Sequence, residues 1–123
     1  MENSKILETY KTIDVIIKAQ KKARQEHNYL LLMENSQALL EYVPNLVSFM
    51  VEQEGEYRKF EAGLIDELDG EKKRTSSYCD TKAKATSFYS DWQKAKYFLE
   101  LVYNLVNMGK ALGRGINNEF NAS

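Results

Sequence analysis

The hydrophobic positions between Tyr78 and Leu112 recur at alternating steps of three and four residues. This spacing is typical of the buried seam of a coiled-coil-like helix, and no proline interrupts it. We therefore expect one long helix, helix C, over about residues 77–112. It would span roughly 50 Å, more than a core of this size requires, so another helix should lie along it. The seam positions are Tyr78, Thr81, Ala85, Phe88, Trp92, Ala95, Leu99, Val102, Val106 and Gly109.

An earlier pattern predicts helix A over about residues 5–32. Ile6, Tyr10 and Ile13 repeat on one helical face, and an apolar run extends the pattern to Met33. A break between residues 24 and 28 is the alternative. Residues 34–36 are expected to form a turn that separates helix A from the next helix.

Helix B is expected over about residues 36–70, with a kink or a short break at Pro44. Gly70 ends it, and Thr75, Ser76 and Ser77 are candidate N-caps for helix C. Residues 113–123 begin with two closely spaced glycines, Gly113 and Gly115, and are expected to form a flexible tail. The prediction is one all-α domain over residues 1–112.

Helices B and C should form a long antiparallel hairpin. Helix B is broadly apolar at its start and helix C at its end, so antiparallel pairing joins the two broad segments with helix A in a small three-helix body. Residues 52–71 carry eight acids and two bases, whereas residues 72–96 carry seven bases and two acids. Opposite charge favours pairing of the remaining narrow segments in a two-helix arm, although each exposed ion pair is worth at most about 1 kcal/mol.

The arm exposes more aromatic surface than two helices can cover, which predicts an interface. A second copy of the chain is the expected partner, in a dimer or higher oligomer, and another protein is the alternative. The predicted interface residues are Tyr57, Phe60, Leu64, Phe88, Tyr89 and Trp92.

A basic cluster at the tip of the hairpin offers a second candidate site. Its cations could hold phosphates while a tyrosine stacks on a base. Pairing with the acidic segment explains the same cations, and the net charge of −1 gives no general attraction to nucleic acid. Nucleic-acid binding is therefore the less favoured interpretation. The candidate residues are Lys72, Lys73, Arg74, Tyr78, Lys82 and Lys84.

Candidate chemistry is sparse. The only histidine, His27, has no acid three residues before it, so the carboxylate and histidine pairs of a two-metal bundle are missing. Cys79 lacks a visible histidine partner and is expected to be a surface thiol. We expect neither an enzyme nor a cofactor. No apolar run approaches a membrane span, and the single cysteine and polar N-terminus favour the cytoplasm.

Residues 54–113 resemble small helical accessory proteins of tailed bacteriophages and prophages, encoded near replication and recombination genes. The resemblance rests on an acidic helix before a short basic turn, then a long helix that opens on residues 74–78 and continues through Asp80, lysine- and alanine-rich turns and Tyr89. It covers about half the chain and excludes helix A. It implies a non-enzymatic accessory role in phage DNA metabolism, in the host cytoplasm.

Overall fold

The computed structural model describes residues 3–69 and 72–122, with side chains for residues 4–67, 72 and 74–110. The described residues form five helices and one short antiparallel ribbon, so the all-α class is confirmed. None of the described helices is long and apolar enough to cross a bilayer. The helices are α1 (Asn3–Gln25), α2 (Tyr29–Leu40), α3 (Val43–Asp66), α4 (Ser76–Lys84) and α5 (Ser87–Ala122), and the strands are β1 (Leu68–Asp69) and β2 (Lys72–Lys73).

The chain divides into two compact units. The first comprises Met1–Leu46 with Phe98–Ser123, and the second comprises Val47–Tyr97. Helices α3 and α5 each contribute residues to both units, whereas α1 and α2 belong to the first and α4 to the second. We describe each unit separately.

Helix A is interrupted, as the alternative interpretation of residues 24–28 allowed. His27 has a positive φ of 54°, and its N–H donates to the Arg24 carbonyl while the Asn28 N–H donates to the Ala23 carbonyl. This pair of bonds is a Schellman motif, which ends α1. The Asn28 side chain then accepts from the Leu31 N–H at 3.2 Å and caps α2. One residue therefore completes the first helix and starts the second.

The turn expected at residues 34–36 is wrong, because these residues lie inside α2. Ser36 tolerates the helix interior by donating its Oγ hydrogen to the Leu32 carbonyl at 2.8 Å. The break in helix B falls at residues 41–42, just before Pro44. Pro44 is the second residue of α3, where a missing N–H leaves no helical carbonyl unpaired.

Helix C is also two helices, so a single helix over residues 77–112 is wrong. Thr86 breaks the pattern: its hydroxyl donates to the Ala83 carbonyl at 2.7 Å and accepts from the Tyr89 N–H at 3.5 Å. The break shifts the buried face of α4 by one or two residues. Cys79 and Ala83 are buried there, whereas Tyr78, Thr81 and Ala85 of the expected seam are exposed.

Two other boundaries differ from expectation. Helix α3 ends at Asp66 rather than near residue 70, and the β1–β2 ribbon follows it, with Leu68 opposite Lys73 and Asp69 opposite Lys72. Helix α5 continues to Ala122, so the end of helix C at residue 112 is wrong. Without a proline, helix propagation adds one hydrogen bond per residue and can offset two glycines. Thr75, one of the three candidate N-caps, is the N-cap of α4 and accepts from the Tyr78 N–H.

The first unit has a mainly aliphatic core that encloses one polar contact. Ile13, Leu39 and Val102 are fully buried, and Tyr10 stacks on Phe98 with ring centroids 4.3 Å apart. Among them the Gln20 amide donates to the Leu32 carbonyl at 3.2 Å and to Ser36 Oγ at 3.1 Å. Gly109 of α5 packs so closely on this pair that an added Cβ would collide with Ser36 Oγ. Glycine is required here by the close approach of two helices.

Candidate functional site

Three of the predicted interface residues form an aromatic cluster within the second unit. Tyr57 of α3 lies 5.2 Å from Tyr89 and 5.4 Å from Trp92 of α5, and Tyr89 and Trp92 meet edge to face at 5.9 Å. Such distances are typical of favourable aromatic pairs. Tyr57 is only 2% exposed, so its surface is already covered by its own chain.

A charged pair borders this cluster. The Arg58 guanidinium lies over the Tyr57 and Trp92 rings, 5.1 and 5.5 Å from their centroids. It also pairs with Glu61 at 3.6 Å, and Tyr57 Oη donates to Glu61 at 3.4 Å, a long hydrogen bond. Burial raises the pKa of Tyr57 above its usual value, and the charges of Glu61 and Asp80 raise it further.

The other predicted interface residues are more available. Phe60 is 41% exposed, and Leu64 and Phe88 are half-buried. Sequence spacing thus identified residues that meet, but it did not separate those that pack against each other from those that face solvent. Within the second unit, Phe60 is the predicted interface residue that retains the most apolar surface.

The basic tip is largely occupied by contacts within the second unit. The Arg74 guanidinium pairs with Glu67 at 3.5 Å and lies 4.6 Å from the Tyr78 ring centroid, and Lys82 approaches the same ring at 5.8 Å. A nucleic-acid base could stack on Tyr78 only on a face that these two cations leave open. The ion pair between Arg74 and Glu67 joins the basic tip to the acidic segment. Pairing of this kind is the reason that nucleic-acid binding is the less favoured interpretation.

Two further cations of the predicted tip differ in their contacts. Lys84 donates to Asp80 at 3.1 Å, and this hydrogen bond, with the charge of Asp80, raises the pKa of Lys84. Lys72 is exposed. The side chain of Lys73 lies outside the described residues. The structure therefore brings Arg74, Tyr78 and Lys82 together, while Lys84 contacts Asp80, its neighbour one turn earlier on α4.

The outer face of α1 carries a surface that the sequence analysis missed. Leu7, Lys11, Val15 and Lys18 recur at helical spacing opposite the buried face of α1, and Val15 is 66% exposed. Glu8 and Asp14 lie along the two edges of this face, and Lys11 and Lys18 lie at its centre. We call this surface the basic face. Its signal in the sequence is a second apolar repeat, on the side of the helix away from Ile6 and Ile13.

The outer face of α2 has the opposite charge. Leu30, Met33 and Leu40 are exposed, Leu30 by 70%, and they share that side of the helix with Glu34 and with Glu41, the C-cap residue. Helix α2 contains no lysine or arginine. We call this surface the acidic face. The sequence analysis overlooked it because a turn was expected at residues 34–36.

The remaining candidates lie outside any constellation of catalytic residues. Cys79 is buried, so the expected surface thiol is wrong; burial follows from the shifted face of α4. His27 is exposed in the turn between α1 and α2, where its Nδ1 lies 3.3 Å from Tyr29 Oη. Within the described side chains, no group of three or more histidine, cysteine, aspartate or glutamate residues is arranged to hold a metal ion.

Comparison of the chain with protein-family models, curated proteins and solved structures finds no match. Function therefore has to be inferred from the chain's own residues.

Proposed function

We propose that the chain is a non-enzymatic helical interaction protein that associates with itself. The basic face of α1 in one copy packs against the acidic face of α2 in another. The observation that carries this proposal is the exposure of large apolar side chains on both faces, beside two lysines at the centre of the α1 face and two glutamates on the α2 face.

The two faces suit each other in chemistry as well as in spacing. Exposed leucine and valine on α1 would cover exposed leucine and methionine on α2, and Lys11 and Lys18 would meet Glu34 and Glu41. Scattered apolar side chains are normal on a protein surface, but exposed apolar residues that recur along one side of a helix indicate a candidate contact surface. Charge complementarity selects the partner face, whereas apolar burial supplies most of the free energy.

Self-association should be moderate and sensitive to salt. The exposed side chains are only partly available for further burial, and association must overcome lost translational and rotational freedom. We therefore expect a dissociation constant on the order of 1 μM at low salt. Raising the ionic strength from about 0.05 M to about 0.5 M should weaken it, because exposed charges are then screened.

Light scattering coupled to size exclusion tests the proposal with two charge-reversed variants. One carries Lys11→Glu and Lys18→Glu, and the other carries Glu34→Lys and Glu41→Lys. Each should be monomeric alone, because like charges then meet across the contact. An equimolar mixture of the two should recover an oligomer, since both α1–α2 contacts between unlike variants join opposite charges. This recovery distinguishes a direct contact from damage to the fold.

A matched control places the same charge change elsewhere. Lys59→Glu with Lys96→Glu alters two exposed lysines of the second unit and should leave the mass unchanged. If Phe60→Ser makes the chain monomeric while both α1 and α2 variants remain oligomeric, the arm surface predicted from the sequence is the interface instead. A wild-type chain that is monomeric at about 100 μM would contradict the proposed self-association.

The resemblance to phage accessory proteins supplies the proposed setting, which is replication or recombination of phage DNA in the host cytoplasm. The proposal keeps the antiparallel arm and the three-helix body that the sequence predicts. It also includes another protein as an additional partner. Nucleic-acid binding through the basic tip is the alternative, and it ranks second because Arg74 and Lys84 already contact acids. If the tip does bind DNA, charge reversal at Lys73 and Arg74 should abolish that binding.

A further inference from the structure

The first unit contains an apolar cavity of about 110 Å³ that no part of the proposed function uses. Leu32 of α2 and Leu105 and Met108 of α5 supply its apolar wall, and Gly109 of α5 lies beside them. Gln20 also lines it, and its Oε1 is buried without a hydrogen-bond partner. The cavity therefore combines apolar walls with one unsatisfied acceptor.

Two cations of α1, Lys21 and Arg24, line the cavity. The same two residues, with Gln25 and His27, border an adjoining open concavity. Within the described residues, neither Lys21 nor Arg24 makes an ion pair. The Arg24 Nη1 donates instead to the Met108 sulfur at 3.1 Å. Because a thioether is a weak acceptor, a carboxylate would replace it readily.

We propose that this cavity binds a small amphipathic anion, a monocarboxylate with a compact apolar group. The apolar group would occupy the space between Leu32, Leu105 and Met108, while the carboxylate would accept hydrogen bonds from Arg24 and attract Lys21. An engineered cavity of about 150 Å³ lined by similar side chains accommodates benzene, so one ring is the upper limit for this smaller cavity, and the carboxylate would lie at its edge beside the exposed Lys21 and Arg24. A basic edge beside an apolar interior selects an anion over a neutral molecule of the same shape.

Benzoate is the probe, with acetophenone as its neutral analogue and inorganic phosphate as an anion without an apolar group. Like benzoate, acetophenone has no hydrogen to donate to Gln20 Oε1. The readout is the set of methyl resonances of Leu32, Leu105 and Met108 in the full chain. Benzoate should shift them saturably, with a dissociation constant on the order of 1 mM. Acetophenone should bind about tenfold more weakly, and phosphate should leave the methyl resonances unchanged.

Three variants give the proposal its controls. Arg24→Gln should weaken benzoate about tenfold, because a charged donor is replaced by a neutral one. Leu105→Phe fills the cavity from a half-buried position and should remove the saturable shifts. Lys5→Gln removes an exposed cation of α1 away from the cavity and should change nothing.

Several results would overturn the inference. Equal affinity for benzoate and acetophenone would leave Lys21 and Arg24 without a role. Phosphate that competes with benzoate at equal strength would indicate surface anion binding only. Unsaturated shifts in the wild-type chain at about 20 mM benzoate would show that the cavity binds no such ligand. The methyl shifts are followed at one protein concentration, whereas the mass of the oligomer is measured separately by light scattering. A failure of benzoate to bind would therefore leave the proposed self-association untouched.

Discussion

The two compact units bury different kinds of side chains. The first has a broad core of aliphatic residues with the stacked pair of Tyr10 and Phe98, whereas the second buries one tyrosine, one phenylalanine and several small side chains. The buried apolar residues of the first unit are Ile6, Tyr10, Ile13, Ala23, Leu32, Leu39, Leu46, Phe98, Val102 and Val106, and those of the second are Phe49, Tyr57, Cys79, Ala83 and Ala95.

The units also treat polar groups differently. The first encloses Gln20 and Ser36 between helices, where a lost partner leaves a buried group unsatisfied. The second keeps Arg58 and Glu61 at the border of an aromatic cluster, where water can replace a lost contact. The second unit also buries Gln53. The contact between Gln20 and Ser36 in the first unit should therefore be sensitive to the loss of one hydrogen-bonding atom, whereas the border of the aromatic cluster in the second unit should tolerate changes in polarity.

The largest expected effect is the loss of an aliphatic side chain from the first unit. Leu39→Ala removes a fully buried side chain from α2 and should lower the free energy of unfolding by about 2–5 kcal/mol. Urea denaturation, at a protein concentration low enough to keep the chain monomeric, measures the change.

Leu30→Ala is the matched control on the same helix. Leu30 is largely exposed, so the same deletion should cost less than about 1 kcal/mol. Equal losses at the two positions would mean that the aliphatic core of the first unit does not dominate its stability, and the contrast between the units would fail.

A smaller effect should follow from adding one methyl group to α5. Gly109→Ala places a Cβ against Ser36 Oγ, so the helices must separate or Ser36 must turn away from Gln20. Overpacking of this kind costs about 1–3 kcal/mol. The change is measured by thermal or urea unfolding of the purified variant.

A double-mutant cycle with Ser36→Ala tests the cause of that loss. Removing the hydroxyl relieves the collision, so the double variant should be more stable than the sum of the two single effects allows. Additive effects would show that Ser36 is not what makes glycine necessary. Gly63→Ala serves as the control, because an added Cβ at Gly63 meets nothing nearby.

Helical periodicity predicted the class of fold because it records which face of each helix is buried. It failed where short polar side chains redirect the backbone. Asn28 and Thr86 each cap a new helix inside what seemed a continuous apolar pattern, and Ser36 resembled a cap although it bonds back within α2. A side-chain oxygen can accept from a local N–H in either setting, so identity and spacing do not decide between a cap and a helix interior.

The sequence predicted the aromatic cluster in part and the cavity not at all. The spacing of Tyr57, Tyr89 and Trp92 identified residues that do meet. Their burial depends on the path of α3 and α5, which spacing alone does not give. The cavity depends on how α1, α2 and α5 meet around Leu32, Leu105 and Met108, and a gap between helices has no signature in the sequence.

The smallest expected effect is on the pH dependence of the free energy of unfolding. It concerns Tyr57, which is buried in the second unit. The pKa of Tyr57 is raised in the folded chain, first by burial and then by the charge of Glu61. A raised pKa means that the neutral phenol favours folding. This contribution is complete below the unfolded pKa of about 10 and is lost as pH rises through the folded pKa.

Tyr57→Phe removes this titration along with one long hydrogen bond to Glu61. Near pH 8 the variant should be less stable than the wild-type chain by no more than about 1 kcal/mol. Above about pH 10 the difference should shrink, because only the wild-type chain must then bury or neutralise a phenolate. Unfolding followed by the fluorescence of Trp92 reports it, with Tyr103→Phe, an exposed tyrosine of α5, as control. A difference that stays constant up to pH 11 would mean that Tyr57 is hydrated in the folded chain, and the aromatic cluster would then lie at the surface of the second unit rather than form part of its core.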